Sequence, residues 1–248
     1  GISAIGGADV SGLGGTKSRN YIYINGSWSN GKPAFAQRIE ASNTYDLAGK
    51  VVTVSGKIYH NFGVATNFDA LLSKANSADN FYGTTPLNTV ALGSVPSGVP
   101  TPFKASFTLG ASDASTGLQL DIITTNALSA TSKIVGITDV QLEEGSIATP
   151  FEHRPIGLEL SLCQRYYEEQ FVSDVMYVGG AGTGFGSSHT WCVPKRVTPT
   201  LTFVIGTSTN VAAFGYASYS PSSFAQNGSA IATGTCVATA TVKASAEL

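Results

Sequence analysis

Short runs in which apolar and polar residues alternate, each closed by a turn, recur along most of this chain and confine it to antiparallel β structure. In 103–109, Phe103, Ala105, Phe107 and Leu109 take every second place against Lys104, Ser106 and Thr108. Strand side chains point alternately to two faces, so such a run buries one face and wets the other. Val52, Val54, Ile58 and His60 do the same in 50–60, with Gly56 in the middle as an expected bulge. Leu118, Leu120 and Ile122 repeat the pattern after the turn SDASTG, and 134–143 closes the set. Two strands at 21–24 and 34–40 open it, parted by the turn-rich NGSWSNGKP. The stretch 61–102 reads as a long mixed connection with one short strand at 89–92. Strands of this length, spaced by turns, predict an antiparallel sandwich of jelly-roll type over 21–153.

One segment departs from the alternation. Leu158, Leu162 and Tyr166 lie at i, i+4 and i+8 behind Pro155, which predicts a short helix over 157–169 with Cys163 buried beside its apolar stripe. Beyond it, 172–178, 189–193, 200–205, 211–216 and 235–244 read as strands, with GGAGTGFGSS and SYSPSSFAQNGSA as loops. The chain is therefore expected to be all-β in four parts: a Gly-rich lead-in at 1–20, the jelly-roll sandwich at 21–153, a junction with the helix at 154–169, and a second, smaller β-sandwich at 170–248. The lead-in has neither the period of a helix nor an initiator Met, which reads as the C-terminal fragment of a longer chain.

Composition narrows the function classes. Charged residues make up 12% of the chain, hydrophobic residues 42%, and the net charge is −2. That is too apolar for disorder, and the scattered Lys and Arg form no patch that would hold nucleic acid. No apolar run is long enough for a membrane span. Cys163, Cys192 and Cys236 leave an odd count, so buried free thiols are preferred over a Cys192–Cys236 disulfide. Glu143 and Glu144 are adjacent and would face opposite sides of a strand, which denies them a shared glycosidic bond. His189 and Cys192 have the spacing of half a zinc site, and no second half follows. The glycine loop at 179–188 lacks the strand–helix frame of a nucleotide cradle. Hence no catalytic residue, metal or cofactor is expected. Rings in polar surroundings remain: Trp28, Phe81, Tyr82, Trp191, Tyr216 and Tyr219 are the candidate sugar contacts, since sugars stack their C–H faces on aromatic side chains.

The two β regions are joined by ITDVQLEEGSIATPFEHRP, beginning at Ile137, and by LCQRYYE at 162–168. This resembles segments near the C-terminal ends of bacteriophage tail-fibre and related virion proteins, in which VQLE.GS.ATPFEHRP runs into CQRYY. The resemblance implies a homotrimeric fibre protein on the virion exterior, in which a carbohydrate-binding-like jelly roll precedes a β tip, with other tail or capsid proteins as partners. It marks a structural junction rather than a ligand site, and on it Phe151, His153, Arg154, Cys163, Tyr166 and Tyr167 are expected at the junction or in trimer packing. The expected function is attachment to host-surface polysaccharide through the distal tip. A capsid head fibre or decoration protein without receptor is the alternative. A polysaccharide depolymerase is disfavoured, because parallel β-helix repeats and paired carboxylates are both missing from the sequence.

Overall fold

The computed structural model describes residues 22–247, so the lead-in at 1–20, Tyr21 and Leu248 lie outside the described residues. The chain divides into two compact units, the first ending at Glu152 and the second spanning His153–Glu247.

The first unit has eight strands: β1 (Ile22–Gly31), β2 (Ala34–Ile39), β3 (Val51–His60), β4 (Thr66–Ser77), β5 (Asn80–Val95), β6 (Thr101–Thr108), β7 (Leu118–Thr124) and β8 (Leu128–Glu144). They form two four-stranded antiparallel sheets, ordered β1-β8-β3-β6 and β2-β7-β4-β5. The core between them is the inward set that alternation marks: Val52, Val54 and Ile58 from β3, Phe103, Ala105 and Phe107 from β6, Leu118, Leu120 and Ile122 from β7. The fold is the jelly-roll-type sandwich that the pattern predicts. Gly56 sits at the expected bulge, where the β3–β8 register shifts between Ser55 and Lys57. A Cβ there would lie 2.8 Å from the Phe103 ring, so the glycine makes room for that ring.

Two stretches differ from expectation. The long connection at 61–102 is mostly the hairpin β4–β5, whose pairing carries three register shifts. Each shift resets the two-residue period, and β5 is an edge strand, the place in a sheet where a proline such as Pro86 is tolerated. NGSWSNG is likewise not a turn but the body of β1, an edge strand bulged on both sides of Trp28.

The second unit contains α1 (Ile156–Gln164), β9 (Tyr167–Val178), β10 (Gly184–Thr190), β11 (Thr200–Thr209), β12 (Val211–Tyr219), β13 (Ser223–Ala230) and β14 (Gly234–Ser245). Its strands make two three-stranded antiparallel sheets, β11-β14-β9 and β10-β13-β12, the smaller β-sandwich expected. From β14, Cys236, Ala238, Ala240, Val242 and Ala244 are wholly buried. These short side chains leave space for Phe185, Trp191, Phe214 and Phe224. The expected loop 218–230 holds β13, and half of the glycine loop is β10.

The helix does not bury a stripe. Ile156, Leu158, Leu160 and Leu162 follow one another at every second position, about 200° apart on a helix, so no single face collects them. All four are exposed, and so is Cys163, against the expectation of a buried thiol. Cys192 is exposed too, Cys236 alone is buried, and all three thiols are free.

Candidate functional site

The six aromatic candidates are placed very differently. Trp191 is 5% exposed, stacks on Phe224 at 4.4 Å and donates its indole N–H to Ser220 O, so its faces are occupied in the core of the second unit. Phe81 is 7% exposed with the Arg38 guanidinium 5.7 Å over its ring. Trp28 is partly buried in β1 and meets Phe62 edge-on at 5.7 Å. These three are packing residues, since each ring lies against neighbouring side chains in or at the edge of its unit's core. Tyr82, just past the β4–β5 turn, is fully exposed. Tyr216 and Tyr219 are exposed on edge strand β12, in edge contact at 5.3 Å, and Phe203 of β11 stands 5.7 Å from Tyr216. They form an aromatic ledge.

The concave site lies elsewhere, on the outer face of β3, β6 and β8. There a cavity of about 460 Å³, the size of small-molecule sites, is lined by Ser55, Lys57, Lys104, Asp139, Thr149 and Phe151, among others. Its floor is the bulge. Asp139 and Val140 together oppose Gly56, and Asp139 takes a left-handed φ of 54°, a costly conformation for a residue with a side chain. The Lys57 ammonium donates to Asp139 Oδ2 at 2.8 Å, and the Thr138 hydroxyl donates to Oδ1 at 3.3 Å.

The cavity's wall is the segment after β8. Gly145 turns it back with φ 110°, its N–H donating to Val51 O at 2.8 Å and its carbonyl accepting the Thr53 hydroxyl at 2.6 Å. Glu143 then grips Thr149 through the backbone N–H at 2.8 Å and the hydroxyl at 2.7 Å, which holds its carboxyl below the usual range. Gln141 adds a bond to the Thr149 hydroxyl and accepts the Glu152 N–H. Phe151, between these anchors, keeps 38% of its surface exposed at the cavity. Thus Phe151, expected at a junction, also lines a site, and Ser55, Lys57, Lys104, Asp139 and Thr149 went unnoticed in the sequence. Their one signal is a phase change: Val135 and Ile137 fall on odd numbers, Val140 and Leu142 on even ones.

Other polar groups are committed. Glu144 pairs with Lys50 at 2.7 Å, so the adjacent glutamates serve separate contacts. Between the sheets of the second unit, the Ser187 hydroxyl donates to Asp174 Oδ1 at 2.7 Å and meets His189 Nε2 at 2.7 Å. An ionised carboxylate only accepts, so the serine proton faces Asp174 and His189 must donate to the serine oxygen. That order is the reverse of nucleophile activation by histidine. The Glu168 carboxylate beside Cys192 pushes that thiol's pKa up, away from reactivity. Among the described residues no group of three or more His, Cys, Asp or Glu is placed to hold a metal, and no helix is long and apolar enough to cross a membrane.

Of the remaining junction residues, His153 is exposed, and Arg154 pairs with Glu159 at 3.3 Å. Tyr166 is partly buried with the Arg165 guanidinium 5.7 Å over its ring. Tyr167 is exposed on β9 and donates its hydroxyl to Glu169, which also pairs with Lys243 at 3.2 Å.

No known family model matches the chain, and no curated protein matches its sequence. Among solved structures it is similar to a CBM4 structure at 17% identity, covering 51% of this chain and 72% of that one, with a TM-score of 0.37. The CBM22-2 xylan-binding domain from Paenibacillus barcinonensis Xyn10C matches at 14% identity over 53% of this chain and 82% of that one, TM-score 0.34. The tripod (BppUct-A-L) from the baseplate of bacteriophage Tuc2009 matches at 14% identity over 68% and 73%, TM-score 0.37. Likenesses this distant say nothing about ligand or partner.

Proposed function

We propose that the chain is a non-catalytic fibre protein of a bacteriophage particle that attaches the virion to its host by binding cell-surface glycan. The observation that carries this reading is the cavity on the outer face of β3, β6 and β8, where an aromatic ring stands beside charged and hydroxyl groups fixed on a sheet. A sugar offers C–H faces to stack on a ring and hydroxyls that need hydrogen-bond partners, and this site supplies both. The segment that resembles phage fibre proteins is the one that builds the wall, which supports a virion setting. A weak site suffices there, because several copies engaging one surface multiply the avidity.

Self-association belongs to the same proposal. Helix α1 exposes Ile156, Leu158, Leu160 and Leu162, and β9 exposes Phe171, Val175 and Tyr177. The same residues favour a second reading, a capsid or tail component that packs against other virion proteins and binds no receptor.

The test is binding of the chain, fused to a fluorescent protein, to a panel of intact bacteria and to the same cells stripped of polysaccharide. Saturable binding that is lost on stripping, and lost with Phe151→Ala at unchanged melting temperature, is the expected result. Absence of binding across the panel by correctly folded protein favours the packing role instead.

A further inference from the structure

Resting on the glycan reading, we infer that the sugar residue held in the cavity carries an anionic group and that Lys104 is its counter-ion. Three charged side chains line the cavity: Lys57, Lys104 and Asp139. Lys57 and Asp139 neutralise each other at 2.8 Å. The ammonium of Lys104 has no hydrogen-bond or ion-pair partner among the described residues. The nearby carboxylates are engaged: both oxygens of Glu143 hold Thr149 on the cavity wall, and Glu144 holds Lys50. On its own strand, Lys104 lies between Pro102 and Ser106 on the outward face, with no acidic neighbour. Lys104 is therefore the charged group of the cavity lining that the described residues leave to a ligand. An ammonium left to the ligand in a concave site favours a ligand of the opposite sign.

The remaining groups say what kind of anion fits. The Lys57–Asp139 pair and the Ser55 hydroxyl offer donors and acceptors for several hydroxyls. The Thr149 hydroxyl, its proton given to Glu143, can only accept, and Phe151 presents a partly exposed ring. A bare inorganic anion uses only the donors, whereas a charged pyranose uses the acceptors and the ring as well. An ammonium is a point charge without the planar fork that selects carboxylates. The class is thus an anionic sugar residue, its charge supplied by a uronate or sialate carboxylate or by a phosphodiester.

The test is affinity of the whole chain for immobilised polygalacturonate, polysialate, glycerol-phosphate teichoic acid, dextran and mannan, with and without Lys104→Met. Methionine keeps the apolar stem and removes the charge. Binding to an anionic polymer, weakened roughly tenfold by Lys104→Met and weakened further by added salt, is the expected result; the polymer that binds identifies carboxylate or phosphodiester. Binding to dextran or mannan alone, or anionic binding indifferent to Lys104→Met, overturns this inference and leaves the glycan reading standing. No binding to any polymer or to intact cells overturns both. An unchanged melting temperature of the Lys104→Met protein separates lost recognition from lost fold.

Discussion

Removing Lys195 should unfold the second unit while sparing the first. The Lys195 side chain is 0% exposed and that of Glu168 4%, with Nζ 2.5 Å from Glu168 Oε2. The ammonium also donates to Gln164 O at 2.6 Å and Val193 O at 3.0 Å, and Glu168 Oε1 accepts the Cys192 N–H at 3.1 Å. Burial pushes the Glu168 carboxyl up, yet Lys195 and the Cys192 N–H outweigh it and hold the group below its usual range. Lys195→Met leaves that carboxylate buried without its countercharge, at a cost of about 3–5 kcal/mol. For a domain of this size the melting temperature then falls by roughly 12–40 °C. Glu168→Gln with Lys195→Met leaves no stranded charge and should recover most of the loss. The assay is thermal unfolding followed by calorimetry and by tryptophan emission, since the ammonium lies 5.2 Å from the Trp191 ring. Trp28 serves as the reporter in the first unit. A loss under about 1 kcal/mol in the single variant would mean that water reaches the pair. A double variant as unstable as the single one would assign the damage to packing.

Two further outcomes are expected. His60 is fully buried, its Nε2–H donating to Val95 O at 2.9 Å while Nδ1 accepts the Phe62 N–H at 3.3 Å, and burial lowers its pKa despite the Val95 bond. Its neutral form thus stabilises the first unit above the unfolded pKa of about 6.5, and that contribution is lost as pH falls through the lower folded value; a melting temperature that holds steady or rises from neutral to mildly acidic pH refutes this. If the exposed leucines of α1 meet in a trimer, light scattering should give about three times the 25.6 kDa chain mass, and a stable monomer rejects it.

What was legible in the sequence follows from where a strand sits in its sheet. The runs β3, β6, β7 and β14 bury one face without losing their paired register over most of their length, so their alternation survives in the residues. Strands β1 and β5 are bulged edges, and each bulge restarts the count. Strand β13 was hidden for another reason. It is central in its sheet, yet its inward positions are Phe224, Gln226, Gly228 and Ala230, two of them without apolar bulk. A Cβ on Gly228 would lie 2.5 Å from the Phe185 ring, and one on Gly186 would lie 2.3 Å from Gln226 O. Glycines that read as loop are there because rings and backbone approach closely. The same confusion put Trp191, beside the glycine loop, among rings in polar surroundings, when the chain beside the glycines was core.

The site was missed because its residues are ordinary singly and acquire meaning only through the bulge and the returning segment. Asp139 reaches the outer face because an extra residue has been inserted opposite Gly56, an event that alternation registers only as an error of phase. The segment from Gln141 to Glu152 lies in the motif that the resemblance marks as a structural junction, yet its composition is explained residue by residue as anchorage. Gly145 permits the reversal, Glu143 and Gln141 fix Thr149, and Gln141 fixes the backbone of Glu152. Between the last two anchors the Phe151 backbone has little freedom left. A wall held this way loses little entropy when a ligand arrives, which is the condition under which a shallow site with a single ring can still bind. The anchors act on the backbone and on Thr149, and leave Lys104, exposed on β6, as the position at which ligand preference can change without disturbing the fold.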